Sequence, residues 1–130
     1  VEGKQIYRAR QETRGQLPAS EQTMAILRQG LWDVVNDRHG TAYWAVRSRT
    51  IEISGKTGTA QVVASPPDSV DEDEIAEALK PHAWFVAYAP SDAPRIAVAV
   101  LVEHGEHGSS GAGPVAKGVI ETYLKKNTAG

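Results

Sequence analysis

The chain has no cysteine and no apolar segment long enough to span a membrane. Its 130 residues therefore form no disulfide bond, and no thiolate is available as a nucleophile or as a metal ligand. The longest apolar runs cover residues 83–89 and 96–102, far short of the ~20 residues that a membrane-spanning helix needs. No signal peptide is recognisable. The absence of cysteine fits an extracytoplasmic protein.

A strong charge of either sign is also missing. The chain has 14 basic and 16 acidic residues and a net charge of −2, so its charge balance does not favour nucleic-acid binding. Residues 1–19 carry scattered basic side chains without aromatic interleaving, and we interpret them as a solvated connecting segment. Hydrophobic residues make up 41% and charged residues 23%, which is typical of one soluble globular domain.

The most informative stretch that is present is Gly-Lys-Thr-Gly-Thr-Ala-Gln at residues 55–61, directly after a β-prone run at 50–53. Because alternate side chains of a strand share a face, Thr57 and Thr59 are expected on one face and Lys56 on the other. The glycines let a ligand approach the backbone closely. Two hydroxyls, backbone N–H groups and an ammonium make a suitable receptor for a carboxylate or an oxyanion.

Two other interpretations of this stretch are a P-loop and a plain edge strand. A phosphate-binding P-loop needs a glycine five residues before its Gly-Lys-Thr. That position is Thr50, and the residues after the motif have strand character, so the sequence disfavours a P-loop. The other interpretation is an edge strand with a solvated lysine and two β-favouring threonines.

The hydrophobic pattern predicts an α+β fold, a three-stranded antiparallel meander with flanking helices. Strands are predicted over residues 50–64, 83–89 and 95–103. The second and third runs are almost wholly apolar, which predicts burial on both of their faces. Trp84 and Phe85 are adjacent, so one is expected on each side of the sheet.

Helices are predicted on both sides of these strands. Ser20 is a suitable N-cap for a helix over residues 20–37, and Pro114 lies in the first turn of a helix that runs to about residue 125. A short helix is predicted over 71–79. The apolar positions expected to face the core are Met24, Leu27, Leu31, Val34 and Val35 in the first helix and Val115, Val119, Ile120, Tyr123 and Leu124 in the last.

Metal sites and cofactors are not predicted. Residues 68–77 include six acids, but the spacing and glycine of an EF-hand are missing, which favours a solvated loop. His104 and His107 lie in a glycine-rich stretch without a third ligand at fixed geometry, which disfavours zinc.

Three segments together resemble the end of the transpeptidase domain of class B penicillin-binding proteins, above all the elongation-specific penicillin-binding protein 2 type. They are GKTGTAQ at 55–61, HAWFVAYAP at 82–90 and RIAVAVLVEHG at 95–105. Lys-Thr-Gly is one of the three motifs of this superfamily. Further matches are Gly30-Leu31 with Val34-Val35, Gly40-Thr41-Ala42 and the late helix over 113–124.

The other two motifs of that superfamily are absent. No serine of the chain is followed three positions later by lysine or two positions later by asparagine. Because the family's nucleophile lies on Ser-x-x-Lys, the chain is predicted to be a C-terminal piece of a catalytic domain. Residues 1–19 would connect to the truncated domain at 20–130. The chain alone is expected to be soluble and inactive.

The resemblance implies a role for each residue of the motif in a serine-type D-Ala-D-Ala transpeptidase. Lys56 would help to activate the serine motifs. The hydroxyls of Thr57 and Thr59 would bind the terminal carboxylate of a D-Ala-D-Ala stem peptide or of a β-lactam. The backbone N–H of Thr59 would supply half of an oxyanion hole, and Gly58 would keep the strand flat enough for substrate to add alongside it.

The resemblance also implies a location and partners. The parent protein would be anchored in the bacterial inner membrane, with this domain in the periplasm among cell-wall elongation proteins. In the family the third strand pairs with a strand from the N-terminal part of the domain, so residues 95–103 would form an unpaired apolar edge, which would either dimerise or be covered by residues 1–19. Two alternatives share the motif: a serine β-lactamase or β-lactam sensor fragment, and a non-catalytic interaction module.

Overall fold

The computed structural model describes residues 12–13, 15–61 and 80–126. The helix predicted over 71–79, the end of the first predicted strand at 62–64 and most of the segment 1–19 lie outside these residues. The elements are, in chain order, α1 (Glu21–Asn36), α2 (Tyr43–Val46), β1 (Ser54–Ala60), β2 (His82–Ala89), β3 (Ile96–Val102), a π-helical turn (Gly108–Ala112) and α3 (Gly113–Lys126).

The described strands form one antiparallel sheet in the order β1-β2-β3. Thr57 of β1 lies opposite Phe85 of β2, which in turn lies opposite Val100 of β3. Residues paired in this way share a face, so the register carries one row of side chains straight across the sheet. The predicted α+β fold and three-stranded meander are confirmed.

The first strand begins four residues later than predicted. Residues 50–53 were expected in the strand, but β1 starts at Ser54. The reason is that other groups occupy the backbone carbonyls just before it. The side chain of Asn36 in α1 donates to the carbonyl of Ile53 at 2.9 Å, and the N–H of Ser91 donates to the carbonyl of Glu52 at 3.0 Å. These carbonyls anchor α1 and the β2–β3 turn instead of extending the ladder.

The sheet buries one face rather than two. Ala83, Phe85 and Ala87 of β2 are buried, whereas Trp84 is 40% exposed and Val86 is 45% exposed. Within the described residues the prediction of burial on both faces is therefore wrong, because the buried residues of the three described α-helices cluster with Phe85 and not with Trp84. The prediction that Trp84 and Phe85 lie on opposite sides is confirmed.

Helix α1 begins where its N-cap predicts. The hydroxyl of Ser20 accepts a hydrogen bond from the N–H of Thr23 at 3.1 Å, which satisfies one of the free donors of the first turn. The apolar stripe reaches the core only at its end, where Val35 is fully buried. Leu27 is exposed, so the first half of the predicted stripe does not face the core.

Helix α3 completes the covered face of the sheet. Ala116, Ile120 and Leu124 recur every four residues and are buried, as expected for one stripe of a helix. Val115, Val119 and Tyr123 were also predicted to face the core, but they are exposed on the neighbouring stripe. The described core consists of Val35, Ala42, Val46, Ile53, Ala83, Phe85, Ala87, Ala89, Ala112, Ala116, Ile120 and Leu124.

Candidate functional site

The lysine and the first threonine of the motif meet on β1. By register Lys56 lies on the same face as Val86, opposite to the face of Thr57 and Phe85. The lysine side chain nevertheless bends towards Thr57, the next residue of the strand. Its Nζ donates to the carbonyl of Thr57 at 2.8 Å and lies 3.4 Å from the Oγ1 of Thr57. The ammonium and a hydroxyl are thus brought together despite the alternation of the strand.

Thr57 and Thr59 share the same face, as the two-residue period of a strand predicts. Thr57 lies opposite Phe85 and Thr59 opposite Ala83, both of which point to the covered side. Thr57 is half-buried and Thr59 is exposed. The N–H and C=O of one residue face the same edge of an antiparallel strand, and this edge alternates along the chain. The backbone N–H of Thr59 is therefore expected to point to the same edge of β1 as the backbone carbonyl of Thr57.

Glycines allow other parts of the fold to approach the motif. A Cβ at Gly55 would come within 2.8 Å of both the ring of Phe85 and the carbonyl oxygen of Val86. A Cβ at Gly108, in the π-helical turn, would lie 2.7 Å from the carbonyl oxygen of Gly58 and 2.9 Å from its nitrogen. Real Cβ atoms do not tolerate such distances. The π-helical turn therefore packs directly on the backbone of the motif.

A third threonine contacts the motif and was not predicted to do so. The Oγ1 of Thr41 lies 3.3 Å from the Oγ1 of Thr57. The sequence indicated Gly40-Thr41-Ala42 only as one of the further matches to the family. No local pattern connects residues that are 16 positions apart, so the contact required the fold.

The connector that carries Thr41 begins with an Asp-centred turn. The N–H of His39 donates to the carboxylate of Asp37 at 2.7 Å, and the His39 ring lies 3.1 Å from the same oxygen. The backbone hydrogen bond is the main cause that lowers the pKa of Asp37 below its ordinary value. A groove of about 440 Å³ lies along this connector and is lined in part by Asp33, His39 and Thr41.

His104, one of the two histidines considered for zinc, contacts other groups. The backbone N–H of His104 donates to Nδ1 of His82 at 3.0 Å, and the Nδ1 of His104 lies 3.2 Å from the carbonyl of Lys80. No group of three or more His, Cys, Asp or Glu side chains that could hold a metal occurs within residues 12–13, 15–61 and 80–126. In the same part of the chain no helix is long and apolar enough to cross a bilayer.

The family model described as the penicillin-binding protein transpeptidase domain matches residues 2–121 of the chain. This match spans nearly the whole sequence and includes the motif strand. The chain belongs to the penicillin-binding protein transpeptidase family. The matched range includes the Lys-Thr-Gly sequence of β1, which is one of the motifs of this superfamily.

Curated relatives and solved structures narrow the similarity to the penicillin-binding protein 2 type. The peptidoglycan D,D-transpeptidase MrdA of Haemophilus influenzae is 37% identical over 100 residues, which cover 76% of this chain and 15% of that protein. The chain thus spans about one-seventh of that relative. The comparison supports a class B transpeptidase fragment rather than a β-lactamase.

Solved structures agree in fold. A complex between PBP2 and MreC from Helicobacter pylori matches with a TM-score of 0.62 and 35% identity, over 79% of this chain and 17% of that chain. Penicillin-binding protein 2B from Streptococcus pneumoniae matches with a TM-score of 0.67 and 32% identity, over 93% of this chain and 18% of that chain. Three antiparallel strands with flanking helices are common to them.

Proposed function

We propose that the chain supplies the carboxylate-binding half of the active site of a peptidoglycan D,D-transpeptidase. The intact protein would cross-link stem peptides through a serine acyl-enzyme and would be acylated by penicillin. The observation that carries the proposal is the Lys56 ammonium, 3.4 Å from the Thr57 hydroxyl on an edge strand of the described sheet. A cation beside a hydroxyl donor is a suitable receptor for the terminal carboxylate of a D-Ala-D-Ala peptide.

The other groups of the motif complete this receptor. The hydroxyl of Thr59, on the same face as that of Thr57, would contact the substrate carboxylate, and the backbone N–H of Thr59 would stabilise the oxyanion of the tetrahedral intermediate. Gly58 leaves the strand free of a side chain where the substrate backbone would add alongside it. The serine nucleophile would come from a part of the protein outside this chain, since the chain has no Ser-x-x-Lys.

The proposal extends to location and partners. The intact protein would be anchored in the inner membrane, with this domain in the periplasm next to the peptidoglycan. Proteins of the elongation machinery would bind it, as suggested by the Helicobacter pylori PBP2 that was solved with MreC. Taken alone, the 130-residue chain would self-associate through β3, which has only one neighbour in the described sheet.

The test is acylation by a fluorescent penicillin in the intact protein. Lys56→Ala removes the ammonium, which is exposed, so we expect a normally folded protein whose acylation falls by at least about 100-fold, the loss that follows removal of one oxyanion-hole donor. The matched control is Lys126→Ala, which removes an exposed lysine at the end of α3. This variant should be acylated at the unchanged rate.

The 130-residue chain provides a second arm of the same experiment. Without a Ser-x-x-Lys serine it should form no covalent adduct with the fluorescent penicillin. A stoichiometric adduct on the isolated chain, or unchanged acylation of the intact Lys56→Ala protein, would show that the proposed roles are wrong.

A further inference from the structure

The connector between α1 and α2 is built so that the Thr41 backbone has little freedom. The N–H of Gly40 donates to the carbonyl of Asp37 at 2.9 Å, and the N–H of Ala42 donates to the carbonyl of Val34 at 2.9 Å. Ala42 is fully buried in the core. Thr41 is therefore held between two residues whose backbones are both tied to α1 or to the turn that ends it.

Gly40 allows this geometry because it has no side chain. A Cβ at this position would lie 2.7 Å from the carbonyl carbon of Val34 and closer still to the carbonyl oxygens of Asp33 and Val34. Any larger residue would push the connector away from the end of α1. The close approach determines where the next residue, Thr41, presents its hydroxyl.

That hydroxyl reaches the carboxylate-binding group of the motif. Among the described residues, the polar neighbours of the Thr57 Oγ1 are the Nζ of Lys56 at 3.4 Å and the Oγ1 of Thr41 at 3.3 Å. An ammonium only donates, so the Thr57 oxygen accepts from Lys56. A hydroxyl has one proton and two lone pairs, so the direction of the Thr41–Thr57 bond decides whether the Thr57 proton remains available.

We propose that Thr41 is a positioning residue that donates its proton to the Oγ1 of Thr57. With both lone pairs of Thr57 occupied by Lys56 and Thr41, the single proton of Thr57 is left for the substrate carboxylate, which can only accept. If the hydrogen bond ran from Thr57 to Thr41 instead, Thr57 would donate its proton to Thr41 and could not donate it to the substrate. This inference rests on the proposed function of Thr57 as a carboxylate-binding group.

The experiment measures the second-order rate constant of acylation of the intact protein by benzylpenicillin and by its methyl ester, which lacks the free carboxylate. Thr41→Val keeps the shape of the side chain but removes the hydroxyl. We expect acylation by benzylpenicillin to slow by about three- to tenfold, the range for one hydrogen bond between neutral groups. Acylation by the ester should change by less than about twofold. Thr41→Ser keeps the hydroxyl and should restore the rate with benzylpenicillin.

A double-mutant comparison isolates the pair. Thr57→Val should slow acylation by benzylpenicillin, and adding Thr41→Val to it should have little further effect, because the oxygen that Thr41 orients is already gone. An unchanged rate for Thr41→Val, equal slowing with penicillin and its ester, or equal slowing by Thr41→Ser would each overturn the positioning role. Unchanged acylation of Lys56→Ala would instead overturn the proposed function, so the two failures are distinguishable.

Discussion

On one face of the sheet Phe85 is fully buried beneath the helices, whereas on the other face its neighbour Trp84 keeps 40% of its surface exposed. Both residues lie in the same apolar strand, and both faces of β2 and β3 are apolar in sequence. The covered face carries α3 and the core, to which α1 and α2 also contribute buried residues. An apolar strand sequence thus allows burial of both faces, but a face is buried only where other elements of the fold pack on it.

The largest expected effect comes from truncating the two aromatic neighbours. Phe85→Ala should lower the free energy of unfolding of the 130-residue chain by about 3–5 kcal/mol, because it leaves a cavity in the covered face. Trp84→Ala removes a larger side chain from the open face, but its partial exposure should limit the loss to about half of that value or less. Urea denaturation followed by circular dichroism measures both.

If the two variants lose the same free energy of unfolding, the covered and open faces do not differ in their contribution to stability. A Phe85→Ala chain without a cooperative unfolding transition would agree with such a difference, provided that Trp84→Ala still unfolds cooperatively. Loss of cooperativity in both variants would mean that the open face is as necessary to the fold as the covered one.

A smaller effect is expected where the π-helical turn packs on the motif. Gly108→Ala places a methyl group against the backbone of Trp84 and of Gly58, and such overpacking should cost about 1–3 kcal/mol. The matched control is Gly118→Ala in α3, where a Cβ would meet open space. It should stabilise the chain by about 0.5–1 kcal/mol, since alanine favours a helix over glycine. Equal effects of the two substitutions would show that the turn does not pack tightly on β1 and β2.

Local patterns sufficed for the elements whose causes are local. The Ser20 cap, the alternation that separates Trp84 from Phe85, and Pro114 in the first turn of the last helix each depend on neighbouring residues, and the structure agrees with them. The start of β1 could not be predicted. It depends on Asn36, which is 17 positions away from the carbonyl of Ile53 that it binds.

In the candidate site, too, the sequence predicted the local features and not the contacts between distant residues. The motif was recognisable because Lys56, Thr57, Gly58 and Thr59 are contiguous, and a strand period predicts which of them share a face. The turn of the Lys56 ammonium back to Thr57, and the contact of Thr41 with Thr57, depend on side-chain conformation and on the packing of the connector. Roles in catalysis remain predictions that the acylation experiments test.

The smallest expected effect is on self-association, and it extends the comparison to the end of the sheet. Leu101 of β3 is 45% exposed on the open face, at the edge that has no partner among the described strands. We expect the 130-residue chain to form a weak dimer through this edge, detectable by sedimentation velocity over a concentration series. Leu101→Lys should raise the dissociation constant by about tenfold or more, because charge on an edge strand opposes pairing.

Val115→Lys is the control, since Val115 is similarly exposed but lies on α3. If Val115→Lys weakens association as much as Leu101→Lys, the contact involves the helix rather than the strand. If the unmodified chain sediments as a monomer at every concentration, an open apolar edge is not enough for pairing in this fold.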